Sequence, residues 1–373
     1  MRIVHLINSL DVGGAEQVVT SLAIHQSGAG HSVRVVCLRD LGPDPLNVDR
    51  LREAGVAIVT LEKPPGLHFG TLSKLVAYLK TERIEVLHTH NHLVHHYGAL
   101  AGRAARVPAI LNSLHGSASL LTSAAWTKVL FWLSCLLGDK VIGVCRQVES
   151  VLRRAFPLPS GKVAMVDNGI ELSRFLQLPA RAPGRVVVFG SIGRLDPVKD
   201  HANLLEAFAL VWNRHPRVEL RLLGSGDLRQ KLEENAKALG IAERVHFEGF
   251  SQDTAGFLAR LDIYVISSSS EGLPLTLLEA MGAARPIVAT AVGEIPDIVG
   301  SARCGWLCPP SSPTELAAAM EQALLSPELG AIGARGRNAA RAHYSIERMA
   351  RDYQEIYTAA IAGGTRGVAA PRA

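Results

Sequence analysis

Long apolar runs are missing from this 373-residue sequence. A membrane-spanning helix needs about 18 or more consecutive apolar residues, and the longest apolar stretch, from Val129 to Leu137, is interrupted by Ser134 and Cys135. The first ten residues, MRIVHLINSL, are followed at once by Asp11 and contain no small-residue cleavage site. We therefore expect the amino terminus to form a first strand and not a signal peptide.

Cysteine is scarce, and its spacing does not suggest a metal site. The chain has 5 cysteines, and although Cys304 and Cys308 are close together, no second pair completes a zinc ligand set. The sequence Asp-x-Asp does not occur either. Scattered thiols in odd number are typical of a reduced, cytosolic protein.

A complete dinucleotide-binding fingerprint is also absent. Residues 11–16, with sequence DVGGAE, follow the first expected strand and carry two glycines, which let a bound group approach the backbone closely. They do not form G-x-G-x-x-G, and no acidic residue ends the next strand at Leu38. Asp40 keeps a dinucleotide site as one alternative, and a plain tight turn is another.

Positive charge, in contrast, is abundant in the first half of the chain. Residues 1–175 carry 18 Lys and Arg against 13 Asp and Glu, whereas residues 176–373 carry 21 of each. A soluble surface is the ordinary interpretation, and attraction to a membrane face or a phosphorylated lipid is the alternative. The hydrophobic content of 48% and the charged content of 20% indicate a globular protein whose length suits two domains.

Strands and helices are expected to alternate along both halves. This spacing predicts parallel sheets covered on both faces, with ligands beyond the carboxyl ends of the strands. In the first half, the expected strands are 2–7, 33–38, 56–61, 84–88, 109–114 and 140–144, and the expected helices include 15–27 and 72–80. The segments that follow the carboxyl ends of these strands are therefore the ones to examine for a ligand site: 11–16, a His-rich loop at 88–96, 115–116 and 145–146.

A second alternation begins after a turn at 168–170 and a Pro/Gly-rich connector at 178–184. Its expected strands are 186–191, 218–223, 245–248, 261–266 and 286–290, its helices 201–212, 228–239 and 257–260, and three further helices lie at about 313–325, 328–342 and 346–361. The fold class predicted is α/β, with two tandem Rossmann-like doubly wound domains, 1–170 and 171–345, facing across a cleft that would hold ligands. We allow for the last helix to pack back onto the first domain, and we expect residues 363–373 to be disordered.

The stretch from Glu271 to Glu279 organises the second domain. Pro274 suits the start of a helix, where a missing N–H costs nothing. The next N–H groups would face outward at a helix N-terminus, which favours a phosphate, although acidic residues near a helix start are common without any ligand. A phosphate site between two carboxylates suits a nucleotide sugar. The N–H groups concerned are those of Leu275, Thr276 and Leu277.

Glycine and two cationic residues lie in the segment that follows the first strand of the second domain. Gly193 and Arg194 follow the strand, and Lys199 comes five residues later. Arginine can hold a phosphate with two hydrogen bonds and lysine supplies a point charge, although such residues are often simple surface charges. A second glycine tip at 224–227 suggests room for a ligand.

At this point the chain resembles the retaining glycosyltransferases of family 4, which have the two-domain GT-B fold. The resemblance is carried in order by 13–16 (GGAE), 168–170 (NGI), 193–199 (GRLDPVK), 223–226 (LGSG), 247–250 (FEGF) and the spacing of the two glutamates at 271 and 279. It covers nearly the whole chain, and the motifs are specific only together. The chain departs from the pattern at Glu171, where many members have Asp.

The resemblance implies a role for each matching residue. It implies that the second domain binds a nucleotide-sugar donor, a UDP- or GDP-sugar, and that the first binds the acceptor. Arg194, Lys199 and the backbone of 275–277 would hold the diphosphate, Glu279 the ribose, and Glu271 would lie near the donor sugar. Donor-binding residues would also include Gly13, Gly14, Gly193, Gly224 and Phe250; His115 would point at the sugar; and Glu16, His90 and His92 would meet the acceptor.

The histidine-rich stretch at 88–96 offers a possible metal site. Alternation along a strand end would spread these side chains over two faces, which disfavours a shared ion. The family resemblance implies a metal-independent enzyme without cofactors, in which Arg and Lys replace the cation. We therefore expect no metal.

The expected function is a retaining hexosyltransferase that moves a sugar from a nucleotide diphosphate-sugar to a glycan or lipid-linked acceptor, in bacterial polysaccharide or glycoconjugate synthesis. The alternatives are a nucleotide-sugar epimerase of the same fold and a non-catalytic nucleotide-binding protein. No nucleic acid partner is expected. The protein is expected in the cytoplasm, with peripheral attachment of the Trp-bearing segment 120–137 to the inner membrane face as a further hypothesis.

Overall fold

The chain divides into two compact α/β units. The computed structural model describes residues 1–11, 13–42, 45–116, 120, 122–179, 184 and 186–364. Unit 1 comprises Met1–Gly169 and Ile346–Ala373, and unit 2 comprises Ile170–Ser345. Each unit is built on one parallel sheet, which confirms the predicted fold class of two doubly wound α/β domains. Most of the predicted connector at 178–184, and the tail from 365 onward, lie outside the described residues.

The sheet of unit 1 has seven strands in the order β3-β2-β1-β4-β5-β6-β7. The strands are β1 (Arg2–Ile7), β2 (Ser32–Cys37), β3 (Ala57–Thr60), β4 (Val86–His90), β5 (Ala109–Leu114), β6 (Lys140–Gly143) and β7 (Val163–Met165). β4 and β5 are buried along their whole length because helices cover both faces. The strand order reverses between β1 and β4, and ligands of such sheets bind at the carboxyl ends beside this reversal.

Seven helices of unit 1 lie in the described residues. They are α1 (Gly14–Gly28), α2 (Leu46–Glu53), α3 (Phe69–Thr81), α4 (His92–Ala105), α5 (Ala125–Leu137), α6 (Arg146–Ala155) and the last helix of the chain (Ile346–Gly364), which follows those of unit 2. The last helix packs on α1 and β5, and its Tyr353 and Tyr357 are fully buried. The predicted loop at 88–96 is wrong in its extent, because β4 continues to His90 and α4 begins at His92.

The sheet of unit 2 has six strands in the order β10-β9-β8-β11-β12-β13. They are β8 (Val187–Ile192), β9 (Val218–Leu223), β10 (Val245–Gly249), β11 (Ile263–Ile266), β12 (Ile287–Thr290) and β13 (Gly305–Cys308). The described helices are α7 (Ser173–Leu176), α8 (His201–Arg214), α9 (Arg229–Ala238), α10 (Thr254–Ala259), α11 (Leu275–Gly282), α12 (Ile295–Ala302), α13 (Pro313–Leu324) and α14 (Leu329–His343), so the helix Ile346–Gly364 becomes α15. The order reverses between β8 and β11, whose carboxyl ends lead to Lys199 and Glu271.

An apolar core fixes these two strands in unit 2. Phe189 on β8 and Ile263 on β11 are fully buried and belong to one cluster with Phe208 of α8. Burying a large apolar side chain stabilises a fold by about 1.5–3 kcal/mol. The loops that follow β8 and β11 therefore start from rigid, fully packed positions, as a binding site requires.

Candidate active site

An ion pair joins the loops after β8 and β11. The Lys199 Nζ lies 2.5 Å from Glu271 Oε1, and the two side chains are 23% and 11% exposed. Ser268 Oγ donates to the same carboxylate oxygen at 2.6 Å. The two predicted residues are thus brought together although 72 positions separate them in sequence. The lysine charge is held in place by a carboxylate that a second donor also fixes.

The position of Lys199 is set by its own loop. Asp196 Oδ1 accepts hydrogen bonds from the backbone N–H groups of Val198 and Lys199, each at 3.1 Å. Ser267 Oγ donates to the Lys199 carbonyl oxygen at 2.8 Å. A small hollow beside the pair is lined by Ser191, Lys199, His201, Ser268, Glu271 and Thr276. Polar groups from four chain segments therefore converge on one space.

Helix α11 begins beside this hollow. Pro274 has ψ 125°, which is extended, and Leu275 is the first helical residue, so the predicted helix start is confirmed. The N–H of Leu277 donates to the Pro274 carbonyl oxygen at 3.1 Å, so only two of the three expected N–H groups have no backbone acceptor in the described part of unit 2. These are the N–H groups of Leu275 and Thr276, and they give the helix start its capacity to bind an anion.

Glu279 lies one turn further along α11 and is 8% exposed. Its Oε1 is 4.0 Å from the guanidinium of Arg174, which is itself half exposed. Burial raises the pKa of the Tyr264 hydroxyl, with Glu279 and Glu271 adding to the increase, so this tyrosine stays neutral. The Glu279 carboxylate thus lies near one cation, Arg174, and near the neutral hydroxyl of Tyr264.

Arg194 is more exposed than the other predicted site residues. Its side chain is 72% exposed and its Nη2 lies 3.1 Å from Asp196 Oδ2. The same aspartate therefore binds Arg194 with one oxygen and caps the backbone of the Lys199 loop with the other. Because the guanidinium is exposed and its loop is held in place, it can bind an anion instead of its contact with Asp196.

The glycine tips after β8 and β9 pack on each other. Gly224 has φ +151°, and a Cβ there would lie 1.8 Å from the Gly193 carbonyl oxygen. The backbone at Gly193 occupies the place that a side chain at residue 224 would take, so this packing requires a glycine, and the assignment of Gly224 to the donor site stays a prediction. The two glycines also hold three strand tips together, because the Gly193 N–H donates to the Leu223 carbonyl oxygen and the Gly224 N–H to that of Gly249. Phe250, next along, is 46% exposed.

Gly293 is a residue of the site that the sequence analysis missed. Its φ is +59°, and a Cβ would come within 2.4 Å of the Glu271 carbonyl oxygen and 2.6 Å of that of Gly272. The neighbouring Glu294 N–H donates to the Gly272 carbonyl oxygen at 3.0 Å. Gly293 thereby lets the chain after β12 press against the Glu271 segment. A lone glycine after a strand carries no sequence signal for this contact.

In unit 1, the predicted glycines lie at the start of α1. Gly13 is extended, and a Cβ at this position would overlap Glu16 Oε2 at 2.2 Å, so the glutamate folds back over it. A Cβ at Gly14 would have no neighbour within 4 Å among the described residues. Gly14 therefore presents open backbone at a helix N-terminus, while Glu16 supplies negative charge to the first turn.

The histidines of β4 do not spread over two faces as predicted. His88 and His90 are two residues apart and so share one face, with ring centroids 4.2 Å apart. His5 of β1 joins them, and ligand atoms of the three lie within 4.8 Å of one another. Every ring nitrogen of the three already has a hydrogen-bond partner. The absence of a metal remains a prediction.

His90 and His115 are joined by a hydrogen bond of 3.0 Å between ring nitrogens. His90 is 1% exposed and uses both nitrogens, so it has no ring edge for the acceptor contact predicted from the sequence. His92 is 7% exposed and lies edge-on to Phe131. His115 lies just beyond β5, and its backbone N–H donates to Asn91 Oδ1 at 3.1 Å.

Acid should destabilise unit 1 through these histidines. Burial lowers the pKa of His5 to about 4 and that of His95 to about 3, far below the usual 6.5. A histidine in the unfolded chain binds its proton near pH 6.5. The contribution of the neutral buried rings to the free energy of unfolding is therefore complete above that pH, and it is lost as the pH falls toward 4. His5 alone accounts for on the order of 3 kcal/mol. Melting curves at pH 8 and pH 5 should differ strongly, and His5→Gln should reduce the difference.

The matched control for this prediction is His343→Gln, which removes an exposed histidine. That variant should keep the full pH dependence of the parent. Equal melting temperatures at pH 8 and pH 5 in the parent protein would show that the buried histidines are protonated in the folded state.

Family models match both halves of the chain. Residues 179–339 match the model described as glycosyl transferases group 1, and residues 12–174 match that described as glycosyltransferase family 4. An uncharacterized glycosyltransferase of Methanocaldococcus jannaschii is 26% identical over 344 residues, which is 83% of this chain and 86% of that protein. The most similar relatives compared are named as glycosyltransferases, which supports that function over the epimerase alternative.

Two further comparisons concern proteins with named ligands or substrates. The UDP-Gal:alpha-D-GlcNAc-diphosphoundecaprenol alpha-1,3-galactosyltransferase of Escherichia coli is 25% identical over 240 residues, 60% of this chain and 62% of that protein. A crystal structure of Anabaena HepE in complex with UDP aligns with a TM-score of 0.84 at 20% identity and covers 96% of this chain and 100% of that chain. At this identity the structural similarity supports the fold, which is the expected GT-B class.

Proposed function

We propose that this chain, which belongs to the family 4 glycosyltransferases, transfers a hexose from a UDP- or GDP-sugar to a glycan or lipid-linked acceptor. The observation that carries the proposal is the Lys199–Glu271 pair beside the start of α11. UDP in the similar HepE structure and the diphosphoundecaprenol acceptor in the name of the E. coli relative support a nucleotide-sugar donor and a lipid-linked acceptor. Polysaccharide or glycoconjugate synthesis is the corresponding process.

Breaking the bond between sugar and phosphate places negative charge on the diphosphate. Lys199 supplies one cation at the site, Arg194 a second on the same loop, and the N–H groups at Leu275 and Thr276 supply dipoles. Prearranged groups of this kind usually give the largest single contribution to rate. In this proposal unit 2 holds the donor, with Glu279 at the ribose and Phe250 at the base, and unit 1 holds the acceptor.

The donor sugar would keep its anomeric configuration. In the proposed complex Glu271 is the carboxylate nearest the sugar, and its Oε1 already accepts from Lys199 and Ser268. Such a carboxylate is poorly suited to act as a covalent nucleophile, because its charge is stabilised. We therefore propose attack from the face that the leaving group departs from, with the diphosphate assisting the incoming hydroxyl.

A product assay tests this function. Purified protein would be incubated with UDP- and GDP-sugars and a bacterial lipid-diphosphate sugar acceptor, and the new linkage would be examined by NMR. A glycoside with the anomeric configuration of the donor is expected, and Lys199→Met is the control for contaminating enzymes. An isomerised sugar nucleotide without transfer, or an inverted linkage, would contradict the proposal.

Metal removal should leave turnover intact. Lys199, Arg194 and the α11 start supply the positive potential that a divalent cation provides in other transferases. We expect the rate in excess EDTA to equal the rate in added manganese. Complete loss in EDTA with recovery in manganese would show that a metal, and not these groups, balances the diphosphate charge.

Peripheral membrane attachment is the last part of the proposal. No helix in the described residues combines the length and the apolar character needed to cross a bilayer. Helix α5, however, exposes Trp126, Val129 and Leu133 at 70%, 53% and 46%, and carries Lys128 with no acidic residue. On the packed helix α4, Leu93 and Leu100 are 60% and 48% exposed. Exposed apolar side chains beside a lysine, in the half of the chain that carries the excess of Lys and Arg, suit an anionic lipid surface.

Vesicle flotation measures this attachment. The protein should float with anionic phospholipid vesicles at low ionic strength and less in high salt, because charge contributes to the binding. The double variant Trp126→Ser, Leu133→Ser should lose most of the binding. Leu325→Ser, at a 69% exposed leucine of unit 2, is the matched control and should bind like the parent. Failure of the parent protein to bind anionic vesicles at low salt would remove this part of the proposal.

A further inference from the structure

Strand β3 forms an open edge of the unit 1 sheet. It pairs with β2 alone, in parallel, with Thr60 opposite Cys37. The Leu61 N–H donates to the Cys37 carbonyl oxygen at 2.9 Å, and successive residues of a strand direct their N–H and C=O groups to alternate sides. Leu61 and the residues two and four positions before it therefore bond to β2, whereas the backbone groups of Ile58 and Thr60 point away from the sheet.

The other three sheet edges carry features that hinder pairing with a further strand. On β7, the Val163 carbonyl oxygen accepts a hydrogen bond from Arg153 Nη2 at 3.1 Å. On β10, Glu248 is charged and forms an ion pair of 2.9 Å with Arg221. Strand β13 is followed at once by the two prolines 309–310. Charges, prolines and side chains that occupy backbone groups are the usual protection of a sheet edge.

Strand β3 has none of these features. Its segment 56–61, with sequence VAIVTL, contains neither a charged residue nor a proline. Within the described residues, no other group hydrogen-bonds to the outward backbone groups of Ile58 and Thr60. A groove of about 350 Å³ runs beside the strand and is lined by Leu41, Arg52, Gly55, Val56, Ala57, Ile58 and Thr60. An edge of this kind is a template for another strand.

The outward groups of β3 are complementary to those of a second β3 that runs antiparallel. With Val59 opposite Val59 of the second copy, Ile58 lies opposite Thr60 of the second copy, and each such pair can exchange both of its N–H···O bonds. Registers displaced to either side would need the N–H groups of Val56 or Glu62. These already donate to the carbonyl oxygens of residues 51 and 39. A single register therefore satisfies the whole edge.

The charges at the two ends of β3 match in the same register. Arg52 lines the groove at the start of the strand, is 65% exposed, and has Asp49 as an ion-pair partner only at 3.8 Å. Glu62 follows the strand and is exposed. In the antiparallel pair, Glu62 of the second copy lies opposite Val56, at the end of the groove where Arg52 lies. Opposite charges that meet at an interface favour one register over others.

We infer that β3 pairs antiparallel with β3 of a second copy of this chain, with Val59 on the two-fold axis. The interface is isologous, since the same strand is used by both copies. It joins the two seven-stranded sheets into one and covers the edge that would otherwise bind other strands. The dimer does not depend on the transferase function proposed above, so it can be tested without measuring activity.

Analytical ultracentrifugation of a matched pair of variants tests the dimer. The parent should sediment as two chains. Ile58→Lys/Thr60→Lys should sediment as one chain, because each new charge lies opposite a like charge of the second copy. Ile58→Lys/Thr60→Glu places opposite charges across the same pairs and should remain a dimer. Melting temperatures would first show that both variants are folded. A monomeric parent, or equal association of the two folded variants, would overturn the inference.

Cysteine cross-linking tests the register. In Val59→Cys the two introduced residues are directly opposed, with Cα atoms about 4.5 Å apart, which a disulfide can span. In Ala57→Cys, the matched control, the equivalent positions are separated by about 13 Å along the strands. The native cysteines are all buried and offer no competing thiol. Copper phenanthroline should cross-link Val59→Cys and not Ala57→Cys on a non-reducing gel. No cross-link at either position, or a cross-link only in Ala57→Cys, would overturn the inference.

Discussion

Lys199→Met should lower kcat by on the order of 100- to 1000-fold, the loss typical of removing a prearranged charge from a transition state. Lys199 is the cation of the site that is held most firmly, by Glu271 at 2.5 Å and by a loop capped by Asp196. Methionine keeps the length and apolar stem of the side chain but not its charge. Steady-state kinetics with a saturating nucleotide-sugar donor measure the effect.

Three variants serve as comparisons for Lys199→Met. Lys199→Arg should recover only part of the rate, because a planar guanidinium does not replace a compact ammonium. Arg194→Ala should also lower turnover, since it removes the second cation of the loop. Glu279→Gln should mainly raise the donor KM, because ribose contacts exist in ground and transition states alike. Near-normal kcat in folded Lys199→Met would place the diphosphate elsewhere.

Glu271→Gln should lower kcat on the order of 100-fold, and its effect should not add to that of Lys199→Met. Removing one member of a partly buried charge pair generally costs about 2–5 kcal/mol, largely because the other charge is left unpaired. Ser268 can still donate to the glutamine oxygen, so the local fold should survive. The double variant should therefore be about as slow as the slower single variant.

A double-mutant cycle on kcat distinguishes this coupling from two independent roles. Melting temperatures of the parent, both single variants and the double variant should be compared first, so that folding losses are excluded. If the fold-loss in kcat of the double variant equals the product of the two single losses, Glu271 and Lys199 act independently. The ion pair would then have no part in turnover.

The order of elements in the fold could be predicted from sequence periodicity, and the shortest elements could not. Apolar runs such as 109–114 gave a strand that the structure reproduces as Ala109–Leu114. Helix α12 and strand β13 were missed, since Pro296 and Gly305 interrupt their patterns. The end of β4 was missed because histidine is a polar residue and His88 and His90 therefore suggested a loop. Both rings are in fact buried and hydrogen-bonded within unit 1.

The chemical types in the candidate site could be predicted, and the contacts between them could not. Pro274 indicated the start of α11 because a proline suits only that position of a helix. The pairing of Lys199 with Glu271 spans 72 residues and depends on the strand order, which no local pattern records. The Gly293 contact likewise depends on the close approach of two backbone segments. The hydrogen bonds among His5, His90 and His115 join rings from separate strands, which no local pattern records either.

Calorimetric titration with UDP, GDP and the corresponding monophosphates tests the central claim, that unit 2 binds a nucleoside diphosphate at Lys199 and the start of α11. One diphosphate should bind the parent more tightly than its monophosphate, and folded Lys199→Met should lose most of that advantage while its affinity for the monophosphate changes little. Equal diphosphate affinity in the parent and in Lys199→Met would contradict the claim.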